Sequence, residues 1–431
     1  MPKKVLLISP LEDFLLNPKE FPPLGILYLS SYLKQQGQEV DVLHGNIEDI
    51  KKEYDFYGIS ASTVQYPKAN LFLQYIKQKQ SGAKVILGGA HTIAPRCSKE
   101  ALEDGFDYVV VGQGEKAFLK IIEGKENGGI IVGEPLNQEE LDTLLPDREA
   151  INILEYGYPL EGGRAATMIT ARGCPYRCSF CSISSGRVMF RTAEKVLEEI
   201  GILKNKYGFD KLLFLDDSFT VNRERLIKVL NGMKNLGFKY RCYARSDNSN
   251  DRKLLELMRE SGCVEIGVGI ESGSQKILDL TDKKTKVDKN VEFIRMVQEV
   301  GIKVNAFVMI GLPGESRETI RETRRFMEMT KPERFGYNIF TPHPDSDIVI
   351  NYEKLFTSGP HKGKSFKDFI TIYPMPYEKA ITKSESINDC FISTPDLSRQ
   401  DITDAYHEEF EKFVKITGFD PRKRGERGKS K

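Results

Sequence analysis

The sequence predicts an α/β chain with two parallel-sheet domains in series: a doubly wound sheet first, then a partial (βα)6 barrel. Three observations predict it. Short apolar runs alternate with amphipathic segments of helical period, twice over. The loops after the first set of runs are rich in Gly, Ser and Thr. The second set contains six strand–helix units, too few for a closed eightfold barrel.

In the first series, "KKVLLIS" at 3–9 reads as a buried strand. A Pro-rich loop ending in "FPPLG" follows, and then a helix, "LGILYLSSYLKQQG", stopped by Gly. "EVDVLHG", "DFYGISAS", "KVILGGAH" and "DYVVVGQGE" read as four more strands, with "ANLFLQYIKQKQSG" as a helix after the second of them. Ligands of such sheets sit at the carboxyl ends of the strands. There "SASTVQYP", "GGAHT" and "GQGE" offer small residues that let a bulky ligand approach the backbone.

The second series has strands "ATMITA", "KLLFLDD", "KYRCYAR", "CVEIGVGI", "KVNAFVMIG" and "RFGYNIF". The pattern weakens after about residue 350, where "DITDAYHEEFEKFVKITG" reads as one more helix. The expected boundaries are a first domain at 1–135, a linker at 136–160, the partial barrel at 161–350, a small, mostly helical C-terminal region at 351–420 and a disordered basic tail at 421–431.

Among 431 residues, 63 basic side chains balance 62 acidic ones, for a net charge of +1. No global field draws the chain to nucleic acid or to a membrane surface. No apolar run reaches bilayer length, and "MPKKVLLISP" lacks the features of a signal peptide, so the cytoplasm is expected.

Three of the seven cysteines fall within "RGCPYRCSFC": Cys174, Cys178 and Cys181, spaced C-x3-C-x2-C at the end of the first barrel strand. Thiolates suit zinc or iron–sulfur clusters. A structural zinc site closes with four ligands, and the nearest histidines in sequence are His91 and His343. Three ligands on a four-iron cluster leave one iron open for a substrate or cofactor. Cys97, Cys242, Cys263 and Cys390 are scattered and read as small buried side chains.

With Phe180 before the third cysteine, this loop resembles the cluster loop of the radical S-adenosylmethionine (radical SAM) superfamily. The resemblance implies a [4Fe–4S] cluster on the three cysteines, with SAM on the open iron. It also implies SAM contacts at later strand ends: Asp216 and Asp217 in "FLDDSFT", Arg245 in "YAR" as a fork for the SAM carboxylate, and Glu271 and Ser272 in "GIESGS". Gly311, Leu312 and Pro313 in "MIGLPGES" would lie on the adenine side. By themselves the two Asp could cap a helix, Arg245 could form a surface ion pair, and Gly-Pro-Gly could be only a turn. "FTPHPDS" departs from the family with His343 and Asp345, which read as substrate contacts or plain loop.

The first series resembles the Rossmann-like cobalamin-binding domain that precedes the radical SAM core in one large subfamily. Cobalamin contacts are implied at Ser60, Ser62 and Thr63; at Gly88, Gly89 and His91; and at Gly112, Gln113, Gly114 and Glu115. The alternative is the same fold without a ligand. The Asp-x-His-x-x-Gly motif that ligates cobalt through His is absent, since the loop "PLEDFLLNPKEFPPLG" has no His, and His44 follows the wrong strand. The expected function is therefore a cobalamin-dependent radical SAM methyltransferase acting on an unactivated carbon of a small molecule, with a flavodoxin or ferredoxin as reductant. A radical SAM oxidoreductase or cyclase, and a non-catalytic iron–sulfur or zinc protein, are the alternatives.

Overall fold

A computed structural model describes residues 2–11, 17–182, 186–249, 251–375 and 389–423. The chain forms two compact units, Met1–Tyr158 and Pro159 onward.

The first unit is a six-stranded parallel sheet. Its strands are β1 (Lys4–Pro10), β2 (Glu39–Gly45), β3 (Phe56–Ser60), β4 (Lys84–Gly88), β5 (Tyr108–Gly112) and β6 (Gly129–Gly133), in the order β2-β1-β3-β4-β5-β6. Val5, Leu6, Leu7 and Ile8 are all buried, as expected of a parallel strand covered on both faces. Helices α1 (Leu24–Gln35), α2 (Tyr66–Lys79), α3 (Pro95–Glu103) and α4 (Gly114–Ile122) make the crossovers. The order reverses at β1, so the crevice between the ends of β1 and β3 is the ligand position for this topology.

The sequence reading contains five of these strands. The sixth, β6, is short and bracketed by glycines, and its edge position leaves Ile130 and Val132 exposed, so it carries little burial signal. Residues 136–158, expected to lie in a linker, pack instead as part of this unit. Leu136, Leu141 and Leu144 are buried around α5 (Gln138–Thr143), and Asp147 accepts from Ser30 Oγ and Lys34 Nζ, both at 2.7 Å.

The chain enters the second unit within β7 (Tyr158–Leu160). The strands that follow are β8 (Gly163–Met168), the hairpin pair β9 (Ala171–Arg172) and β10 (Met189–Phe190), then β11 (Lys211–Phe214), β12 (Lys239–Ala244), β13 (Cys263–Glu271), β14 (Lys303–Ile310) and β15 (Arg334–Ile339). The large sheet runs β15-β14-β13-β12-β11-β8-β7, and its pairs from β8 to β15 are parallel. It is a curled half-barrel. Its helices are α6 (Ala193–Asn205), α7 (Arg223–Met233), α8 (Ser246–Ser249), α9 (Arg252–Glu260), α10 (Gln275–Leu280), α11 (Val287–Glu299), α12 (Arg317–Thr330) and α13 (Asp347–Ile350).

Strand alternation sorts the two faces. Tyr240, Cys242 and Ala244, then Ile266, Val268 and Ile270, join the apolar core beneath the helices. Arg241, Tyr243 and Arg245 alternate with them and face the other way. At the base of that second face Glu265 is buried between Arg241 (3.0 Å) and Arg334 (2.8 Å).

The C-terminal region adds β16 (Thr371–Ile372), β17 (Ile392–Ser393) and α14 (Arg399–Thr417). Ile402, Phe410 and Phe413 of α14 belong to the barrel's own core, with Phe335 edge-on to both rings of the latter two. Cys97, Cys242, Cys263 and Cys390 are buried thiols. The basic tail expected from 421 lies mostly outside the described residues.

Candidate active site

The cysteine loop is carried by the β9–β10 hairpin, at the carboxyl end of β8. Cys178 is buried, while Cys174 and Cys181 are partly exposed. The loop is pinned from inside by Gly186 N–H to Cys174 O (3.1 Å) and by Cys181 N–H to Cys178 O (3.0 Å). It is pinned from outside through Ser179. That residue's N–H and Oγ both donate to Thr281 O at 3.0 Å, and its carbonyl accepts from Ile348 N–H at 2.9 Å. Burial pushes the Cys174 thiol up, and the Asp217 carboxylate adds to this. Among the described residues no group of three His, Cys, Asp or Glu side chains closes on one metal ion. A cluster takes its thiolates on separate irons. The donor set fits that chemistry: three thiols on one pinned loop, one of them already receiving a cationic N–H.

That N–H belongs to Arg245, which follows β12. Its Nη1 donates to Cys178 Sγ at 3.3 Å, and Nη2 donates to Lys283 O at 2.6 Å. Nε and Nη2 form a fork on Asp247, at 3.1 and 3.0 Å. The guanidinium lies 3.7 Å from the centroid of the Tyr176 ring. The fork expected for a ligand carboxylate is thus engaged by a carboxylate of the chain.

Asp216 and Asp217 point to different tasks. Asp216 is buried and accepts from Thr170 N–H (2.5 Å), Ala171 N–H (3.1 Å) and Thr170 Oγ1. It ties the end of β11 to the turn that launches the cysteine loop. Arg225 supports the same turn, donating to Thr170 O at 2.9 Å. The Asp217 carboxyl keeps solvent access, yet desolvation, with Asp216 beside it, raises its pKa to about 6.

Glu271, at the end of β13, is a non-glycine residue at φ +63, inside a β-bulge. Such a conformation costs of order 1–3 kcal/mol. Lys283 Nζ donates to its Oε1 at 2.8 Å and lies 5.8 Å from the Phe180 ring centroid. Ser272 is buried, with its Oγ 3.2 Å from Thr323 Oγ1 of α12.

Gly311, after β14, has φ +87, and a Cβ there would lie 2.3 Å from Ile392 Cδ1. Its N–H donates to Glu315 Oε2 at 3.0 Å, and Thr319 Oγ1 donates to Oε1 at 2.9 Å. Burial raises the Glu315 pKa to about 7. Leu312 and Pro313 are buried in the same turn. After β15, His343 and Asp345 are half-buried; desolvation lowers the first and raises the second to about 6.

In the first unit the expected positions lie at the ends of β3, β4 and β5. Gly89 has φ +94, and a Cβ there would lie 2.6 Å from Ala61 O, so the turns after β3 and β4 touch. Ala61 N–H to Gly88 O and His91 N–H to Ala61 O, both 3.0 Å, join them. Ser62 N–H donates to Gln65 Oε1 (2.8 Å), and Gln65 Nε2 reaches back to Pro10 O (2.8 Å). Thr63 Oγ1 lies 3.4 Å from His91 Nδ1. Gly112, at φ +87, leads into Gln113, Gly114 and the buried Glu115 at the start of α4. His91 is buried and stacked on Tyr66 at 4.0 Å, and His44 bonds the Tyr156 hydroxyl at 2.9 Å. Burial lowers both imidazoles to about 4.

Sequence reasoning missed Tyr176, Asp247, Lys283, Thr170, Arg225 and Glu315. Glu315, Tyr176 and Thr170 stood inside quoted stretches, but their roles, like those of Asp247, Lys283 and Arg225, come from tertiary contacts that spacing does not signal.

Residues 18–122 match the B12 binding domain family, and residues 168–327 match the radical SAM superfamily. An uncharacterized methyltransferase of Pyrococcus horikoshii is 27% identical over 84% of this chain and 85% of its own length. The anaerobic magnesium-protoporphyrin IX monomethyl ester cyclase of Rubrivivax gelatinosus is 29% identical over 76% of this chain, which spans about two thirds (66%) of the cyclase. Among solved structures, the radical SAM methyltransferase TsrM of Kitasatospora setae, with cobalamin and a [4Fe–4S] cluster bound, has the same fold. Its TM-score is 0.72 at 17% identity, over 98% of this chain and 92% of that one. No helix among the described residues is long and apolar enough to cross a membrane. A cysteine loop at the first barrel strand, a half-barrel behind it and a B12-type sheet ahead of it make this chain a radical SAM enzyme of the B12-binding-domain group.

Proposed function

We propose that the chain is a cobalamin-dependent radical SAM methyltransferase acting on an unactivated carbon of a small molecule in the cytoplasm. The observation that carries the reading is one polypeptide holding both a pinned three-thiol loop and a B12-type sheet with tightly joined strand-end turns. When bound, the cluster supplies the electron for SAM cleavage and cobalamin carries the methyl group.

The chain's own part is positional. Cys174, Cys178 and Cys181 would hold the cluster, and Ser179 fixes their loop to Thr281. Asp217 retains access beside that loop, where its carboxylate could receive the SAM amino group; Asp216 holds the turn in place. Phe180, Glu271, Ser272, Gly311, Leu312 and Pro313 shape the remaining strand-end walls. In the first unit, the turns at Ser60–Thr63, Gly88–His91 and Gly112–Glu115 would take the cobalamin tail. Both nearby imidazoles are engaged, His44 by Tyr156 and His91 by Tyr66. This supports a lower cobalt face without histidine.

Anaerobic reconstitution with iron, sulfide and hydroxocobalamin, followed by gel filtration, tests this. A corrinoid of base-off spectrum on the protein, with S-adenosylhomocysteine and 5′-deoxyadenosine among the SAM products, is the expected result. A second reading, a radical SAM oxidoreductase or cyclase, draws on the cyclase relative. It requires 5′-deoxyadenosine without S-adenosylhomocysteine. Failure to bind iron or cleave SAM would return the chain to a non-catalytic metal protein.

A further inference from the structure

We propose that Arg245 is a positioning residue that sets the reduction potential of the cluster through the Cys178 sulfur, with Asp247 as its counterweight. The inference rests on the cluster reading above.

Arg245 is 6% exposed, and its guanidinium is committed on every side. Nη1 points at Cys178 Sγ (3.3 Å), Nη2 at the Lys283 carbonyl (2.6 Å), and the fork closes on Asp247. The ring of Tyr176, midway between Cys174 and Cys178, has its centroid 3.7 Å from the guanidinium carbon. A side chain held from three directions has one geometry, so the N–H on sulfur is a fixed feature of the loop.

The electrostatics follow from that geometry. An N–H donor and a buried positive charge at a ligand sulfur stabilise an electron added to the cluster, since hydrogen bonds to the sulfurs and net charge set its potential. Asp247 opposes this, but its side chain is 30% exposed against 7% for Arg245, so water screens the carboxylate more than the cation. Asp217 acts on Cys174 in the same sense as Asp247. Lys283 is neutralised by Glu271 at 2.8 Å. Arg245 is the buried cation that places an N–H directly on a cluster sulfur. The electron comes from a low-potential flavodoxin or ferredoxin, and no bond or proton changes at Arg245.

The experiment is an anaerobic redox titration of the reconstituted full-length protein with dithionite, following the reduced cluster by electron paramagnetic resonance. Iron and sulfide are assayed in parallel. R245Q is expected to lower the equilibrium constant for one-electron reduction about tenfold, roughly 59 mV more negative. D247N removes the counterweight and is expected to shift the potential the other way. R245K, which keeps the charge but not the fork, should fall between wild type and R245Q. A purely structural role would move the potential in neither variant, or in both alike, and either result overturns the proposal. If R245Q takes up no cluster, D247N decides alone: a potential unchanged or more negative overturns it. A wild-type chain that binds no iron and sulfide overturns the functional reading first, and this proposal with it.

Discussion

Asp216 and Asp217 are adjacent, identical in type and read alike from the sequence, yet the structure gives them separable consequences. Consider D216A. The substitution strands Thr170 N–H and Ala171 N–H in a buried turn and leaves Thr170 Oγ1 without its acceptor. Each buried group so stranded costs about 1–3 kcal/mol. Removing the carboxylate also takes away the anion facing Arg225, which still donates to Thr170 O. Relief of the desolvation that raises the Asp216 pKa offsets part of this. The net loss is about 3–5 kcal/mol, the range for breaking one partner out of a buried charged network. At ~2–4 °C per kcal/mol for a unit of this size, the second unit's transition should fall by roughly 6–20 °C.

D217A is the matched control. Its side chain is exposed and its raised pKa gives the ionised form no stabilising role, so its removal should cost no stability and should leave the chain at least as stable as wild type at neutral pH. Urea unfolding of both variants, followed by near-ultraviolet circular dichroism, makes the comparison. A loss under about 1 kcal/mol in D216A, or an equal loss in D217A, would refute the assignment of Asp216 as the structural member. Weakened SAM binding in D217A with wild-type stability would place the ligand contact on the second carboxylate.

Three further outcomes are expected. The folded-state pKa of Asp217 is raised to about 6 from an ordinary 3.8, so wild-type stability should decline as pH climbs through that window. D217N should flatten the decline in urea midpoints taken between pH 4 and pH 7. Glu315, raised to about 7, makes a similar loss between about pH 4.5 and pH 7. E315Q forfeits one acceptor to Gly311 N–H or Thr319 Oγ1, about 1–3 kcal/mol at pH 5, and its deficit should shrink by pH 8. C174A, C178A and C181A should each lose reconstituted iron and SAM cleavage; wild-type turnover in any of them would end the cluster assignment.

Much of the fold was legible because parallel strands buried on both faces read as unbroken apolar runs: "KVLLIS", "KVILG" and "KVNAFVMI" became β1, β4 and β14. The cysteine loop was legible because its ligands are local in sequence. Other features were not. The helix read at "DITDAYHEEFEKFVKITG" gives no sign that it joins the barrel core, yet α14 supplies Phe410 and Phe413 to it, because the rings of β15 need a cover. Arg245 was read as a ligand fork because sequence shows a strand-end arginine but not that Asp247 turns back on it. Lys283 carries no motif at all; only the pairing of its loop with the bulged end of β13 gives it Glu271.

Three carboxylates, at the ends of β11, β13 and β14, close turns of the half-barrel. Asp216 binds the turn after β8, Glu271 takes Lys283 beside the cysteine loop, and Glu315 folds the Gly311 turn onto α12. Each is buried and already satisfied by the chain. Turns fixed in this way need little ordering when a ligand arrives, so binding energy is not lost to loop immobilisation. It follows that the two kinds of acidic side chain answer differently to substitution. Those inside the turns govern stability and, through it, every ligand together. Asp217 and Asp345, which keep access and carry raised pKa values of about 6, are the ones whose replacement should discriminate between ligands.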